Sequence, residues 1–170
     1  MKQAAFLDRD GTINYDKGYT YKFSEFKFKP GVIKGLQFLT KKGYSIFIVT
    51  NQAGIAKGKF KISDVYKLHK KLKNYLNKKD IKISDIKFCP YHPNGIIKKY
   101  KKKTNLRKPG NLMIRQILKK NKINLKKSFM IGDQNSDKIA AKKSKLFFEY
   151  ADNNFYNQVK RINKKIINNY

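Results

Sequence analysis

Asp8 and Asp10 stand two residues apart in the stretch Phe6-Leu7-Asp8-Arg9-Asp10-Gly11-Thr12, directly behind an apolar run that begins at Ala4. Two carboxylates this close repel one another unless something positive lies beside them. Side chains at i and i+2 of a strand share one face, so the pair belongs just past a strand's end, where Gly11 lets the backbone turn and a ligand can sit. Acids so placed can hold a hard divalent cation through oxygen. They can also divide the work of phosphoryl transfer, one attacking phosphorus and the other moving protons. The plainer alternative is an Asx-type turn that caps a strand. An EF-hand loop is excluded, because its glycine is sixth; counting from Asp8, glycine is fourth and Ile13 is sixth.

Three further polar clusters carry chemistry. Thr50-Asn51-Gln52 follows the apolar Ile46-Phe47-Ile48-Val49, and Gly132-Asp133-Gln134-Asn135-Ser136-Asp137 follows Phe129-Met130-Ile131. Leu106-Arg107-Lys108-Pro109-Gly110 closes a lysine-rich loop. Of eleven acidic residues, Asp8, Asp10, Asp133 and Asp137 fall at these tips, and three carboxylates around one point suit Mg²⁺ and phosphate chemistry. Asp8 is the expected nucleophile and Asp10 the acid/base. Thr50 offers a hydroxyl to phosphate oxygens, and Lys108 adds charge. Pro109 biases Lys108 towards an extended backbone and suits a first helical position, which would put the lysine at a helix N-terminus.

The elements that must position these residues follow from periodicity. A buried strand precedes Asp8, and residues 13–29 form a loop whose Tyr15, Tyr19, Tyr21, Phe23, Phe26 and Phe28 are expected over the sheet edge. Pro30 and Gly31 open a helix with Val32, Leu36 and Leu39 on one face, stopped by Gly43. A strand at residues 44–50 is continuously apolar, as in a parallel strand covered on both sides. Ser63 is expected to cap a helix to about residue 79, with His69 on its surface. Strands at residues 86–91, 128–131 and 146–150, and helices at 111–120, after Asp137, and at about 153–168, complete the pattern. Strand–helix alternation specifies an α/β fold, and right-handed crossovers bring all the polar tips to one edge. The expected unit is a single domain over residues 1–170, with its catalytic core in about 1–150.

Composition narrows the classes. An aromatic fraction of 14% and a hydrophobic fraction of 40% argue against disorder, and no apolar run is long enough to span a bilayer. Cys89 is the single cysteine, and the N-terminus lacks a secretory pattern, so a cytoplasmic chain without membrane association is expected. The net charge of +30 is almost all lysine, with arginine only at Arg9, Arg107, Arg115 and Arg161. Its spread through helices, beside abundant Asn and Ile, reads as a solvated surface. Nucleic acid is therefore not the expected partner, although such a field attracts phosphorylated substrates.

The four ordered motifs, Asp8-Arg9-Asp10-Gly11-Thr12, Thr50, Lys108 and Gly132-Asp133 to Asp137, resemble those of the haloacid dehalogenase superfamily over residues 1–150. The resemblance implies a cap-less, three-layer Rossmann-like sandwich with a mainly parallel sheet, and an aspartyl-phosphate on Asp8. It also implies Mg²⁺ held by the Asp8 and Asp133 side chains with the Asp10 carbonyl, and Asp137 in a supporting or water-mediated role.

Gly18-Tyr19-Thr20-Tyr21, Thr50-Asn51-Gln52-Ala53-Gly54-Ile55-Ala56-Lys57-Gly58 and Cys89-Pro90-Tyr91-His92-Pro93 are similar to segments of the heptose 1,7-bisphosphate phosphatase family. That resemblance implies a monomer acting on a small phosphorylated sugar, with Asn51, Gln52 and Arg107 as contacts to the distal phosphate or sugar hydroxyls. Histidinol-phosphate hydrolysis and cleaning of nucleic-acid ends are the alternatives. Many relatives carry a zinc loop, Cys-x-His then Cys-x-Cys. Here Tyr91, Thr104 and Leu106 replace three of its ligands, so no zinc is expected.

Overall fold

The computed structural model describes residues 1–168. Among them, β1 (Ala4–Leu7), β2 (Ser45–Asn51), β3 (Ile83–Cys89), β4 (Phe129–Gly132) and β5 (Phe147–Tyr150) form one parallel sheet in the order β3-β2-β1-β4-β5. The chain lays β2 and β3 on one side of β1, then crosses back to place β4 and β5 on the other. The carboxyl ends of β1 and β4 therefore flank the point where strand order reverses, which is where open α/β sheets bind ligands.

Five helices cover the sheet: α1 (Val32–Lys41), α2 (Ile62–Asn77), α3 (Leu112–Lys120), α4 (Asn135–Lys143) and α5 (Phe155–Asn168). Successive side chains of β1 point to opposite faces. Ala5 and Leu7 join Leu36 and Leu39 of α1, Leu68 and Leu72 of α2, and Val159 and Ile162 of α5. Ala4 and Phe6 join Met113, Ile114 and Ile117 of α3, and Ala140 and Ala141 of α4. The result is the expected three-layer α/β sandwich. Each fully buried Leu or Ile contributes about 1.5–3 kcal/mol, so both faces of the short β1 are held firmly beneath Asp8.

Helix α5 is an integral part of one layer. Phe155 N donates to Pro30 O at 3.0 Å, and a clamp of Arg161 and Lys165 on Glu149, at 2.7 and 3.1 Å, ties the helix to β5. Burial alone would raise the Glu149 carboxyl, but these cations hold it below its ordinary value.

Several local expectations change. Helix α2 starts at Ile62, so Ser63 lies within it; Asp64 Oδ2 instead accepts from Lys61 N at 2.9 Å and closes the first turn. His69 is buried, not on the surface, because its ring nitrogen meets the buried Arg9 guanidinium. Of the loop aromatics, Phe28 stacks on Tyr75 of α2 and Phe23 meets the same ring at a tilt. Helix α3 begins at Leu112, so Pro109 is not its first residue, and the Lys108-Pro109 bond is cis. Strand β3 runs earlier than residues 86–91, from Ile83, and stops before Pro90, which has no N–H to donate.

Candidate active site

Asp8 is the first residue beyond β1, and its N–H extends the ladder by donating to Ile131 O of β4 at 2.9 Å. Its carboxylate reaches Lys108 Nζ at 2.7 Å. The same ammonium forms a second ion pair with Asp137 Oδ1 at 2.5 Å and donates to Val49 O at 2.8 Å, and the lysine itself is almost closed to water. Asn51, at the tip of β2, holds the backbone of Lys108 through both ends of its amide. Asp137 is fixed in turn at the start of α4, where its Oδ2 accepts from Gln134 N at 3.0 Å.

This geometry sets the charges. Burial pushes the Asp8 carboxyl up to about 7; Lys108 pulls it down, while Asp137 adds to the rise. Burial would lower the Lys108 ammonium, but Asp8 and Asp137 together hold it above its ordinary value. One cation thus serves two buried acids, which leaves an excess of negative charge at the head of the cavity.

Asp10 faces a different set. Arg9 approaches its carboxylate from Nη2 at 2.8 Å and from Nε at 3.1 Å, Asn14 Nδ2 donates at 2.9 Å, and Gln52 Nε2 donates at 2.9 Å. Arg9 is wholly buried and also donates to Thr20 O at 2.7 Å and Gln52 Oε1 at 3.2 Å. Its Nη1 lies 3.1 Å from His69 Nε2. A guanidinium can only donate, so that ring nitrogen is the acceptor and the proton sits on Nδ1. Burial, then Arg9, depress the His69 imidazole to about 3, so it is neutral. Gln52 Nε2 also donates to the Thr50 hydroxyl at 2.9 Å.

The carboxylates of Asp8, Asp133 and Asp137 each bring an oxygen within 4.8 Å of the others, and Asp133 Oδ1 is buried without a hydrogen-bond partner. An orphaned acceptor beside two further acids fits a hard divalent cation. Gly11, at φ 80, makes this approach possible, since a Cβ there would run into the Asp133 carboxylate. Gln134 Nε2 holds the other Asp133 oxygen at 2.7 Å. Asp10's carboxylate is outside this trio; the resemblance assigns Asp10 a backbone carbonyl ligand instead.

Asp8, Asp10, Thr50, Asn51, Gln52, Arg107, Lys108, Asp133 and Asp137 all line one cavity of about 520 Å³. Arg107 also lines a second cavity of about 470 Å³, and its Nη1 is buried without a partner. Burial lowers its guanidinium pKa. Asn51 and Gln52 were expected as substrate contacts, but their amides are spent on Lys108, Asp10, Arg9 and Thr50. Where the zinc loop of relatives would lie, Cys89 is buried, and backbone bonds from His92 N to Tyr100 O and from Lys102 N to His92 O, both at 3.2 Å, tie the loop together. Sequence reasoning missed Arg9, Asn14 and His69. An arginine between two aspartates was the one available signal.

A carboxylate beside a lysine, an oriented second acid and an acidic cradle, all at the head of a parallel sheet, fit a phosphatase of the haloacid dehalogenase superfamily. The chain matches the family model described as polynucleotide kinase 3 phosphatase over residues 3–163, and it belongs to the D-glycero-D-manno-heptose 1,7-bisphosphate 7-phosphatase family. It is 40% identical over 141 residues to the D-glycero-beta-D-manno-heptose-1,7-bisphosphate 7-phosphatase of Rhodopseudomonas palustris, covering 83% of this chain and 78% of that one. It is 42% identical over 135 residues to the corresponding alpha-anomer enzyme of Photorhabdus laumondii, covering 79% and 74%. The solved D,D-heptose 1,7-bisphosphate phosphatase of B. bronchiseptica, complexed with magnesium and phosphate, shares the fold with a TM-score of 0.81. That structure is 20% identical and covers 96% of this chain and 99% of its own.

Proposed function

We propose that this chain hydrolyses the 7-phosphate of D-glycero-D-manno-heptose 1,7-bisphosphate, with Mg²⁺, through a phosphorylated Asp8. The observation that carries the chemistry is the contrast between the two acids: Asp8 faces the cavity beside Lys108, whereas Asp10 is held by Arg9, Asn14 and Gln52.

Asp8 Oδ attacks phosphorus and the bond to the leaving alcohol breaks. Asp10 gives that alcohol its proton, then takes one from the water that cleaves the aspartyl-phosphate. Lys108 balances charge on Asp8 and on the incoming phosphoryl group. The Thr50 hydroxyl and the N–H groups near it receive phosphoryl oxygens. Asp8, Asp133 and the Asp10 carbonyl would hold Mg²⁺, which would supply positive charge to the phosphoryl oxygens.

Arg107 supports a bisphosphate substrate. The residue lines both cavities and its buried Nη1 has no partner, so a small movement of the side chain would let a distal phosphate accept from it. The surrounding field is also basic, for Lys57 and Arg107, after burial, both lower the His92 imidazole pKa. A cytoplasmic monomer working on a diffusible sugar phosphate, in nucleotide-activated heptose synthesis for lipopolysaccharide or surface glycan, completes the reading. Among the described residues, no helix is long and apolar enough to cross a membrane.

Phosphate removal from nucleic-acid ends is the second reading, favoured by the family model's description and by the charge of +30. Phosphate release is measured from both heptose bisphosphate anomers, histidinol phosphate and a 3′-phosphorylated oligonucleotide, with and without Mg²⁺, using Asp8→Asn as control. Fast Mg²⁺-dependent release from one heptose anomer is expected. Preference for the oligonucleotide or for histidinol phosphate would overturn the sugar assignment.

A further inference from the structure

We infer that His69 of α2 is a positioning residue for proton transfer: by accepting a hydrogen bond from Arg9, it fixes the guanidinium that orients Asp10. The inference rests on the proton-handling role given to Asp10 above, and it holds for whichever alkyl phosphate is the substrate.

Arg9 is wholly buried, so its nitrogens depend on protein partners. Nε and Nη2 both serve Asp10, and Nη2 is shared with Thr20 O and Gln52 Oε1. Nη1 is left for His69 Nε2, at 3.1 Å. A guanidinium is a rigid planar fork, and a partner on its remaining nitrogen fixes the plane from which the other two approach the carboxylate. Asp10 has to meet a leaving oxygen in the cavity, where a small misplacement is expensive in rate.

The choice of residue on α2 fits this task. His69 shares the helix's inward stripe with Val65, Leu68, Leu72 and Leu76, where a polar ring is costly unless it is bonded. Its ring is held edge-on by Phe88 of β3, with centroids 5.6 Å apart. Burial and Arg9 keep the imidazole neutral, so Nε2 retains the lone pair that accepts. A neutral acceptor steadies Arg9 without competing for its charge, as a second carboxylate would. His69 lines no part of the cavity, so its effect on turnover passes through Arg9.

The test compares wild type, His69→Gln and His69→Leu on the alkyl phosphate that wild type cleaves fastest and on 4-nitrophenyl phosphate, well below each melting temperature. Leucine suits the apolar stripe but cannot accept. For His69→Leu, kcat on the alkyl phosphate is expected to fall about tenfold with KM unchanged, and far less on the nitrophenyl ester, whose leaving group needs little protonation. His69→Gln, which still offers an acceptor, recovers most of that loss. Nitrogen NMR of wild type should find the His69 proton on Nδ1, with His92→Gln telling the two histidines apart.

Equal losses on both esters, an unchanged kcat in His69→Leu, or a loss that His69→Gln does not recover would make His69 a packing residue and overturn the inference. A proton on Nε2 would do the same, and in each case the phosphatase reading survives. Wild type that releases no phosphate from any ester with Mg²⁺ would overturn both.

Discussion

Asn51 Oδ1 accepts from Lys108 N at 3.0 Å while its Nδ2 donates to Lys108 O at 3.1 Å, so one amide at the tip of β2 grips the lysine's backbone from both sides. Asn51→Ala releases that grip and should lower kcat about tenfold or more, with a loss of about 1–3 kcal/mol in unfolding free energy. Steady-state kinetics and denaturant unfolding check it. A raised KM with unchanged kcat would instead mark Asn51 as a direct substrate contact.

Lys108 balances two buried acids, so its loss costs more than one interaction. Lys108→Met is expected to abolish activity and to destabilise the fold by about 3–5 kcal/mol, because Asp8 and Asp137 are left facing each other. Adding Asp137→Asn removes one of the stranded charges and should restore part of that stability but not the activity. Simple additivity of the two changes would refute the shared-cation account.

Gln52→Leu removes a donor from Asp10 and from the Thr50 hydroxyl. If Asp10 works as the proton donor, kcat on alkyl phosphates should fall by about 10²-fold, and 4-nitrophenyl phosphate, whose leaving group needs little protonation, should suffer far less. Equal losses on both would place Gln52 outside proton transfer.

The neutral His69 makes the fold sensitive to acid. Its folded pKa, about 3, lies below the ordinary 6.5, so between those limits the unfolded chain takes up a proton that the native state refuses. Stability should therefore fall as pH drops below 6.5, by about 1.4 kcal/mol per pH unit from this residue. His69→Gln keeps an acceptor for Arg9 and cannot titrate. Urea unfolding at pH 7 and pH 5 should show a smaller drop for the variant than for wild type.

Asp8 has the opposite sign. Its folded pKa is raised from 3.8 to about 7, so without metal its burial destabilises the protein increasingly as pH rises across that window. Metal-free Asp8→Asn should be inactive yet more stable than wild type at pH 7.5, by on the order of a few kcal/mol. Mg²⁺ should raise the wild-type melting temperature more at pH 8 than at pH 5, where a proton competes for the carboxylate, and chelation should abolish turnover. Thermal unfolding at the two pH values decides it.

The sheet, the order of its helices and the convergence of the four motifs were legible, because continuous apolar runs ending in polar tips admit few arrangements. Side-chain allegiances were not. Asn51 and Gln52 sit where substrate contacts belong, but whether an amide faces a ligand or a neighbouring backbone depends on atoms from β1 and the loop around Lys108, far away in sequence. His69 falls in a lysine-rich helix, and only the buried guanidinium of Arg9 explains why it points inward. Ser63 lost its capping place because Lys61 and Asp64 close the first turn two residues earlier.

The line from Asp10 through Arg9 to His69 has a further consequence. It runs from the mouth of the cavity into the middle of α2, a helix that supplies no wall of that cavity. Unwinding of α2 as far as His69 would take one of four partners from Arg9 and loosen its hold on Asp10, while the strands and Asp8 stayed in place. Turnover then reports on the integrity of one distant helix, and thermal inactivation would set in while most of the molecule was still folded.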